Sequence, residues 1–286
     1  MKVSLFPNLN NSDVKNLTKE VCKCLCELDM DIYMSDKLSG SFENCCVNFI
    51  DCNNLMNYCD FAIAIGGDGT TLNVAKNASS CNKPVLGINA GRLGFMSGLE
   101  KNELELLENL VNGQYEIDER LMLKAEVING DNKIINCFTC LNDAVISRGN
   151  FVRLIDISIS CDNRDVMDMR ADGIIISTPT GSTAYSMAAG GPVVSPSAQC
   201  VLSTPICPHS LVDRSIIFST ENVLLITAEN DQLNPPILTI DGQEGFELQK
   251  GYKVRISKAE TKTKLIKIKP ENFYEILNKK LIERRA

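Results

Sequence analysis

The sequence is poor in the features that mark several common classes of protein. It has one histidine, His209, in 286 residues, so no Ser/His/Asp arrangement is on offer beyond that residue. His209 lies in Pro205-Ile206-Cys207-Pro208-His209-Ser210-Leu211 and is expected to be structural. No uninterrupted apolar run reaches about 18 residues, so no transmembrane helix is expected. After Met1-Lys2-Val3-Ser4-Leu5-Phe6 the chain turns polar at Asn8, and no signal peptide is expected. With 18 glycines and 10 prolines the chain is not collagen-like or low-complexity. No GxxxxGK[ST] occurs, so there is no Walker A lysine. No GxGxxG follows the first strand candidate, which disfavours an ordinary Rossmann redox enzyme. Positive charge is also in deficit: Lys+Arg is 29 against Asp+Glu 36, a net of −7. That balance disfavours nucleic acid and anionic membranes as partners. It leaves room for an anionic small ligand bound by local N–H groups, a few cations or a metal ion.

Cysteine is plentiful, with 13 residues. A chain of this length without an export signal does not need a disulfide framework. Cys137-Phe138-Thr139-Cys140 is an isolated CxxC with no second pair nearby. Reduced cysteines acting as small hydrophobes are expected, in a reducing cytoplasm.

Two domains suit this length. Strand and helix signals alternate first. Lys2–Phe6 is a strand candidate, Ser12 a helix N-cap, and Val14, Leu17, Val21, Leu25 and Leu28 recur at helical spacing. Asp31–Met34, Phe61–Ile65 and Lys83–Asn89 read as strands, and Thr71–Ala78 as a helix. Leu104, Leu107, Leu110 and Val111 share a helical face that Gly113 ends. This alternation predicts an α/β domain over residues 1–115, a parallel sheet with flanking helices.

Near Tyr115 the period changes. Residues 116–269 then read as a β-rich, sandwich-like domain. Its strand candidates are Leu121–Ile128, Ile134–Arg148, Arg153–Cys161, Met169–Ser177, Ser215–Ser219, Val223–Ala228, Ile237–Asp241, Lys253–Ser257 and Lys264–Ile268. Asn129-Gly130 is a hairpin-turn signal. Helical spacing returns over Asn272–Arg285 with Phe273, Ile276, Leu277 and Leu281, so residues 270–286 are expected to pack back on the first domain.

Gly66-Gly67-Asp68-Gly69-Thr70 is the sharpest motif. It follows a buried-strand signal and precedes a helix, the place where open α/β sheets bind ligands. Gly66, Gly67, Gly69 and Thr70 suit a phosphate loop, with backbone N–H groups and a helix N-terminus facing the anion. Asp68 would repel phosphate. It suits a general base for a hydroxyl proton, a Mg²⁺ ligand, or a plain helix cap. Asn89-Ala90-Gly91-Arg92-Leu93-Gly94-Phe95 also follows a strand; Phe95 is either core or a wall for a flat ring. Asn142-Asp143 sits in an apolar run and needs partners. It could close a turn or bind ribose hydroxyls or a base edge. From Asp172 an apolar strand runs into a hydroxyl-rich patch, Ser177-Thr178-Pro179-Thr180-Gly181-Ser182-Thr183-Ala184-Tyr185-Ser186. Ligand contact is favoured there over a capped turn.

GGDGT, NxGxLGF at 89–95, Asn142-Asp143, DGIIISTPTGSTAYS at 172–186, AGGP at 189–192 and PICPHSL at 205–211 together resemble the NAD kinase family. GGDGT alone is shared with diacylglycerol and sphingosine lipid kinases and phosphofructokinases; TPTGSTAYS with PICPHSL is specific. The resemblance implies a phosphotransferase with an alcohol acceptor. It would move the γ-phosphoryl of ATP to the 2′-hydroxyl of the adenosine ribose of NAD, with Mg²⁺ or another divalent cation, giving NADP and ADP. It implies NAD bound between two domains and a homo-oligomer, commonly a tetramer. Asp68 matches the general base. Gly69, Phe95, Asn142, Asp143, Thr180, Thr183, Ala184, Tyr185, Ala188 and Gln243 match NAD-binding positions, with Asp172 toward the nicotinamide and Arg148 or Arg170 as an added cation. Asp143 stands where many relatives have Glu, a longer arm. A GGDGT-type lipid kinase and a non-catalytic dinucleotide sensor are the competing readings.

Overall fold

A computed structural model describes residues 1–10, 12–91, 94–149, 153–210, 213–229, 234–270 and 272–283. Arg92 and Leu93 of the second glycine motif, Leu211, Arg285, and the side chains of Ser12 and Leu281 lie outside the described set.

The chain opens with β1 (Lys2–Pro7), α1 (Ser12–Glu27), β2 (Asp31–Ser35), α2 (Ser39–Phe42), β3 (Asn48–Ile50) and α3 (Leu55–Tyr58). Then come β4 (Phe61–Gly66), α4 (Asp68–Ser80), β5 (Pro84–Asn89) and β6 (Leu99–Glu100). A 3-10 turn at Leu104–Leu107 runs into α5 (Glu108–Val111), followed by β7 (Glu116–Arg120). The middle of the chain forms β8 (Leu123–Ile128), β9 (Ile134–Cys140), β10 (Asp143–Ser147), β11 (Ile155–Cys161), β12 (Arg164–Ala171) and β13 (Gly173–Ser177). After α6 (Tyr185–Ala188) it forms β14 (Cys200–Ile206), β15 (Ile216–Ser219), β16 (Leu224–Glu229), β17 (Ile237–Ile240), β18 (Glu244–Glu247) and β19 (Lys253–Lys258). It closes with β20 (Thr263–Lys267) and α7 (Phe273–Glu283). Contacts divide these elements into two units: residues 1–119 with 261–286, and residues 120–260.

The first unit is built on one sheet in the order β3-β2-β1-β4-β5-β20-β7, with β6 beside β5. The pairs β1–β2, β1–β4, β2–β3, β4–β5 and β5–β20 are all parallel. All six residues of β4 are buried. That explains the unbroken apolar run Phe61–Ile65, because a parallel strand covered on both faces has no polar side to show. Val14, Leu17, Val21 and Leu25 of α1 are buried in the same core. The strand order grows outward from β1 in one direction and from β4 in the other. The crevice at the carboxyl ends of β1 and β4 is therefore the topological switch point, where such sheets bind ligands. Asn8 ties the two strand ends together: its N–H donates to Ile65 O (3.0 Å) and its Nδ2 to Thr70 Oγ1 (3.2 Å).

The domain boundaries differ from those expected. β7 and β20 belong to the first sheet, not to the β-rich unit. Leu265 and Ile266 of β20 are buried, and Leu265 registers with Val85 of β5. Lys267 pairs with Asp118 (3.0 Å) and Lys262 with Glu119 (2.7 Å), which holds β7 alongside β20. A change of period reports strand against helix; it does not say which sheet a strand joins.

The second unit has two six-stranded sheets, β15-β14-β13-β10-β17-β18 and β12-β11-β16-β19-β8-β9. Every pair of described strands within them is antiparallel, and alternate residues such as Ile155, Ile157 and Ile159 face one shared core. The run Ile134–Arg148, expected as one strand, splits into β9 in one sheet and β10 in the other. Met169–Ser177 likewise splits between β12 and β13. Asn142 and Asp172 lie at these two changes of sheet. The Asn129-Gly130 hairpin forms as a longer loop, with Asn129 N–H donating to Lys133 O (2.9 Å) and Asn132 at φ 60°.

Candidate functional site

In the first unit the glycine motif ends β4 and begins α4. Gly67 is the extended N-cap, with no side-chain cap; Asp68 is the first helical residue. Capping therefore is not the task of Asp68. Its carboxylate reaches across to the NxGxLGF loop. Oδ2 accepts from Phe95 N–H (2.9 Å) and Oδ1 from Met96 N–H (3.1 Å). Lys280 Nζ on α7 stands 3.4 Å from Oδ2. Thr70 and Thr71 N–H donate to Gly67 O (3.0 and 3.1 Å), which leaves the N–H groups of Asp68 and Gly69 ahead of the helical ladder, at the positive end of the helix dipole.

Asn89 at the end of β5 accepts from Gly91 N–H (3.2 Å) and donates to Glu100 (3.2 and 3.3 Å), which shapes the loop. A Cβ on Gly94 would lie 2.7 Å from Ser97 Oγ and 3.1 Å from Asp68 Cγ, so only glycine lets this loop close on the carboxylate. The Phe95 ring is half-buried, with Lys280 Nζ 3.9 Å from its centroid and the Phe273 ring at 6.1 Å. Motif reading missed Met96, which acts through its backbone, and Lys280, a charge within an ordinary-looking helix.

In the second unit Asp241, just past β17, organises the Asn142-Asp143 pair. Its carboxylate accepts from the N–H groups of Leu141 (3.1 Å), Asn142 (2.8 Å) and Asp143 (3.1 Å). Thr178 completes the fix: its N–H donates to Asn142 O (2.9 Å) and its hydroxyl to Leu141 O (2.6 Å). A Cβ on Gly181 would overlap the Asn142 carbonyl. The Asp143 carboxyl is buried and pushed up to about 7, first by loss of water and then by the charge of Asp241. Asp241 was not among the sequence candidates. An acid ending an apolar strand was the available signal.

The hydroxyl-rich patch is part built support and part open surface. Ser182 Oγ donates to Pro179 O (2.7 Å) and receives Val194 N–H (3.1 Å). Thr180 Oγ1 accepts from Arg120 (3.2 Å), and Thr183 donates to Thr180 O (3.2 Å). Ala184 N–H donates to Gly181 O (2.9 Å). Tyr185 and Ala188 are exposed on the single turn α6. Gln243 is exposed in the β17–β18 turn, its N–H donating to Ile240 O (3.0 Å).

Arg148 and Arg170 were expected as alternative cations. Arg148 pairs with Asp172 (2.8 Å) and bonds its carbonyl through N–H (2.9 Å), joining two candidates at the β12–β13 change of sheet. Arg170 pairs instead with Asp156 (2.9 Å) on the neighbouring strand, both well exposed. His209 N–H donates to Arg170 O (2.8 Å). Cys137 is exposed and Cys140 buried, because residues three apart on a strand face opposite sides. All the cysteines are free.

Among the described residues no three His, Cys, Asp or Glu side chains converge as a metal set. Asp68 faces two N–H groups and an ammonium, the wrong company for a protein-held cation.

Residues 3–115 match the family described as ATP-NAD kinase N-terminal domain, and residues 141–268 the ATP-NAD kinase C-terminal domain. The NAD kinase of Thermoanaerobacter sp. (strain X514) is 41% identical over 99% of both chains. The chain belongs to the NAD kinase family. The NAD kinase of Desulforamulus reducens is 38% identical over 98% of this chain and 97% of its own. Among solved structures, yeast NADH kinase complexed with NADH superposes with a TM-score of 0.88 at 22% identity, covering 97% of this chain and 86% of that one. An NAD kinase from Archaeoglobus fulgidus in complex with ATP gives 0.76 at 24% identity, covering 98% of both. These two share the fold. The lipid-kinase and sensor readings find no support, and no helix among the described residues is long and apolar enough to cross a membrane.

Proposed function

We propose that Asp68 is the general base of the NAD kinase reaction of this chain. It takes the proton of the adenosine ribose 2′-hydroxyl as that oxygen bonds to the γ-phosphorus of ATP and the bond to ADP breaks. The observation that carries this reading is the double N–H grip of Phe95 and Met96 on the carboxylate. A carboxylate has about four acceptor directions, so two N–H bonds orient it and leave capacity for a hydroxyl. A ribose hydroxyl is a poor nucleophile at neutral pH, and general-base help is worth about 10²–10⁴ in rate. Phosphoryl transfer otherwise asks for positioning and charge neutralisation. Gly66, Gly67, Gly69 and Thr70, at the N-terminus of α4, suit the phosphates.

Asn142 and Asp143 hold NAD in this reading, with Thr180, Thr183, Ala184, Tyr185, Ala188, Phe95, Gln243 and the Arg148–Asp172 pair; Arg170 is the weakest member, given its exposed partner Asp156. The base is carried by one unit and the dinucleotide-holding pair by the other. A divalent cation such as Mg²⁺ enters with the nucleotide, as part of the metal–ATP substrate. A homo-oligomer, commonly a tetramer in the family, and a cytoplasmic setting consistent with free cysteines complete the proposal.

The test is NADP formation from NAD, ATP and Mg²⁺, read with an NADP-specific dehydrogenase, beside Asp68→Asn. Wild-type turnover with a loss of about 10²–10⁴ in the variant, at unchanged NAD affinity, is expected. A variant turning over like wild type removes Asp68 from this role.

A further inference from the structure

The first unit carries an ammonium at the GGDGT carboxylate that no motif announced. Lys280 sits on α7, with its side chain 17% exposed beside an Asp68 side chain 35% exposed. This is unlike the Arg170–Asp156 pair, whose partners are 66% and 65% exposed. Lys280 makes two contacts at once: Nζ lies 3.4 Å from Asp68 Oδ2 and 3.9 Å from the centre of the Phe95 ring. Phe95 is also the residue whose N–H grips Oδ2. One side chain thus bears on the carboxylate and on the residue that orients it.

The placement follows from how α7 starts. Asn272 Oδ1 accepts from the N–H groups of Tyr274 and Glu275, both at 3.0 Å. Glu275 Oε2 returns to Asn272 N–H (3.1 Å). This reciprocal capping box fixes the first turn of the helix. Phe273 is then the first helical residue, and Lys280 follows seven positions later, two turns on and on the same face. Phe273 packs its ring toward Phe95 while Lys280 reaches Asp68. The helix is held at its start by the cap, near its start by ring contact, and two turns on by charge.

We propose that Lys280 is a positioning residue for the phosphoryl transfer: from α7 it holds the Asp68 carboxylate and the Phe95 ring in register. The proposal rests on the reading of Asp68 as the base. An ammonium that sits over a ring and against a carboxylate, partly out of water, holds both more firmly than an exposed pair would. Lys280 bears on the carboxylate directly and on NAD only by way of the Phe95 ring, so its loss is expected in turnover more than in NAD affinity.

The experiment compares Lys280→Met, which keeps the apolar stem, with Lys280→Arg, which keeps the charge and stacks on rings. Steady-state kcat, KM for NAD and Tm are measured on the full chain, with Asp68→Asn alongside. The expected result is a fall in kcat of about 10–100-fold for Lys280→Met. KM for NAD rises by much less than kcat falls, Tm stays near wild type, and Lys280→Arg recovers most of the turnover. Wild-type kcat in Lys280→Met overturns the proposal. So does an equal loss in Met and Arg variants, or a loss that only tracks a fall in Tm, since either describes a tether. An inactive Asp68→Asn beside an active Lys280→Met removes this inference alone. An active Asp68→Asn removes the base reading, and this inference with it.

Discussion

Asp241 holds Asn142 by the backbone. Its Oδ1 accepts from the Asn142 N–H at 2.8 Å, although the two residues are 99 apart in sequence. The same carboxylate holds Leu141 and Asp143, so three N–H groups at the change of sheet share one acceptor side chain.

Asp241→Asn tests that arrangement. An amide offers one acceptor oxygen, and its NH₂ would face an N–H group. A buried donor left without its partner costs about 1–3 kcal/mol. Tm is expected to fall by about 2–8 °C in a thermal melt, and KM for NAD to rise about tenfold as the Asn142-Asp143 pair loses its position. A variant with wild-type Tm and KM would show that the clamp carries no weight.

Asp143 should leave a mark on the pH dependence of stability. In the fold its carboxyl keeps the proton up to about 7, against an ordinary value near 3.8 in the unfolded chain. The stabilisation is complete below the ordinary value and is lost as pH rises through about 7. Asp143→Asn stays neutral throughout. Calorimetry from pH 5 to 8 should therefore show wild-type Tm dropping relative to the variant, by on the order of several degrees. Parallel curves would contradict the burial argument.

Gly94→Ala separates shape from charge at Asp68. The new Cβ would press on Ser97 Oγ and on the Asp68 carboxylate, moving the carboxylate without altering its chemistry. Turnover is expected to fall about 10–100-fold, with KM for NAD within about twofold. Gly130→Ala, whose Cβ meets nothing within 4 Å, serves as the comparison and should change neither quantity. Full activity in Gly94→Ala would mean that the loop yields at no cost.

What was legible in the sequence follows the range of the interactions. β4 could be read because burial on both faces leaves an unbroken apolar run, and the motif after it inherits its place from that strand. The Asn142-Asp143 pair could be read as polar residues in need of partners. The partner could not, because Asp241 arrives from another strand and no local period encodes the pairing. Lys280 was hidden for a similar reason: on its own helix it is one of several charges, and only packing against the loop gives it a task. β20 was visible as a strand and was assigned to the wrong unit, since its neighbour β5 lies far back in the chain.

The placement of β20 between β5 and β7 has a consequence for the order of synthesis. When residues 1–119 have left the ribosome, β5 has β4 on one side and lacks its long neighbour on the other. Roughly half the chain must still be made, and the whole second unit can fold, before that edge is filled. An open parallel edge is where strands from other chains add. The nascent first unit is therefore most exposed to misassembly while the second is being built, and Thr263–Lys267 is the segment that ends the exposure.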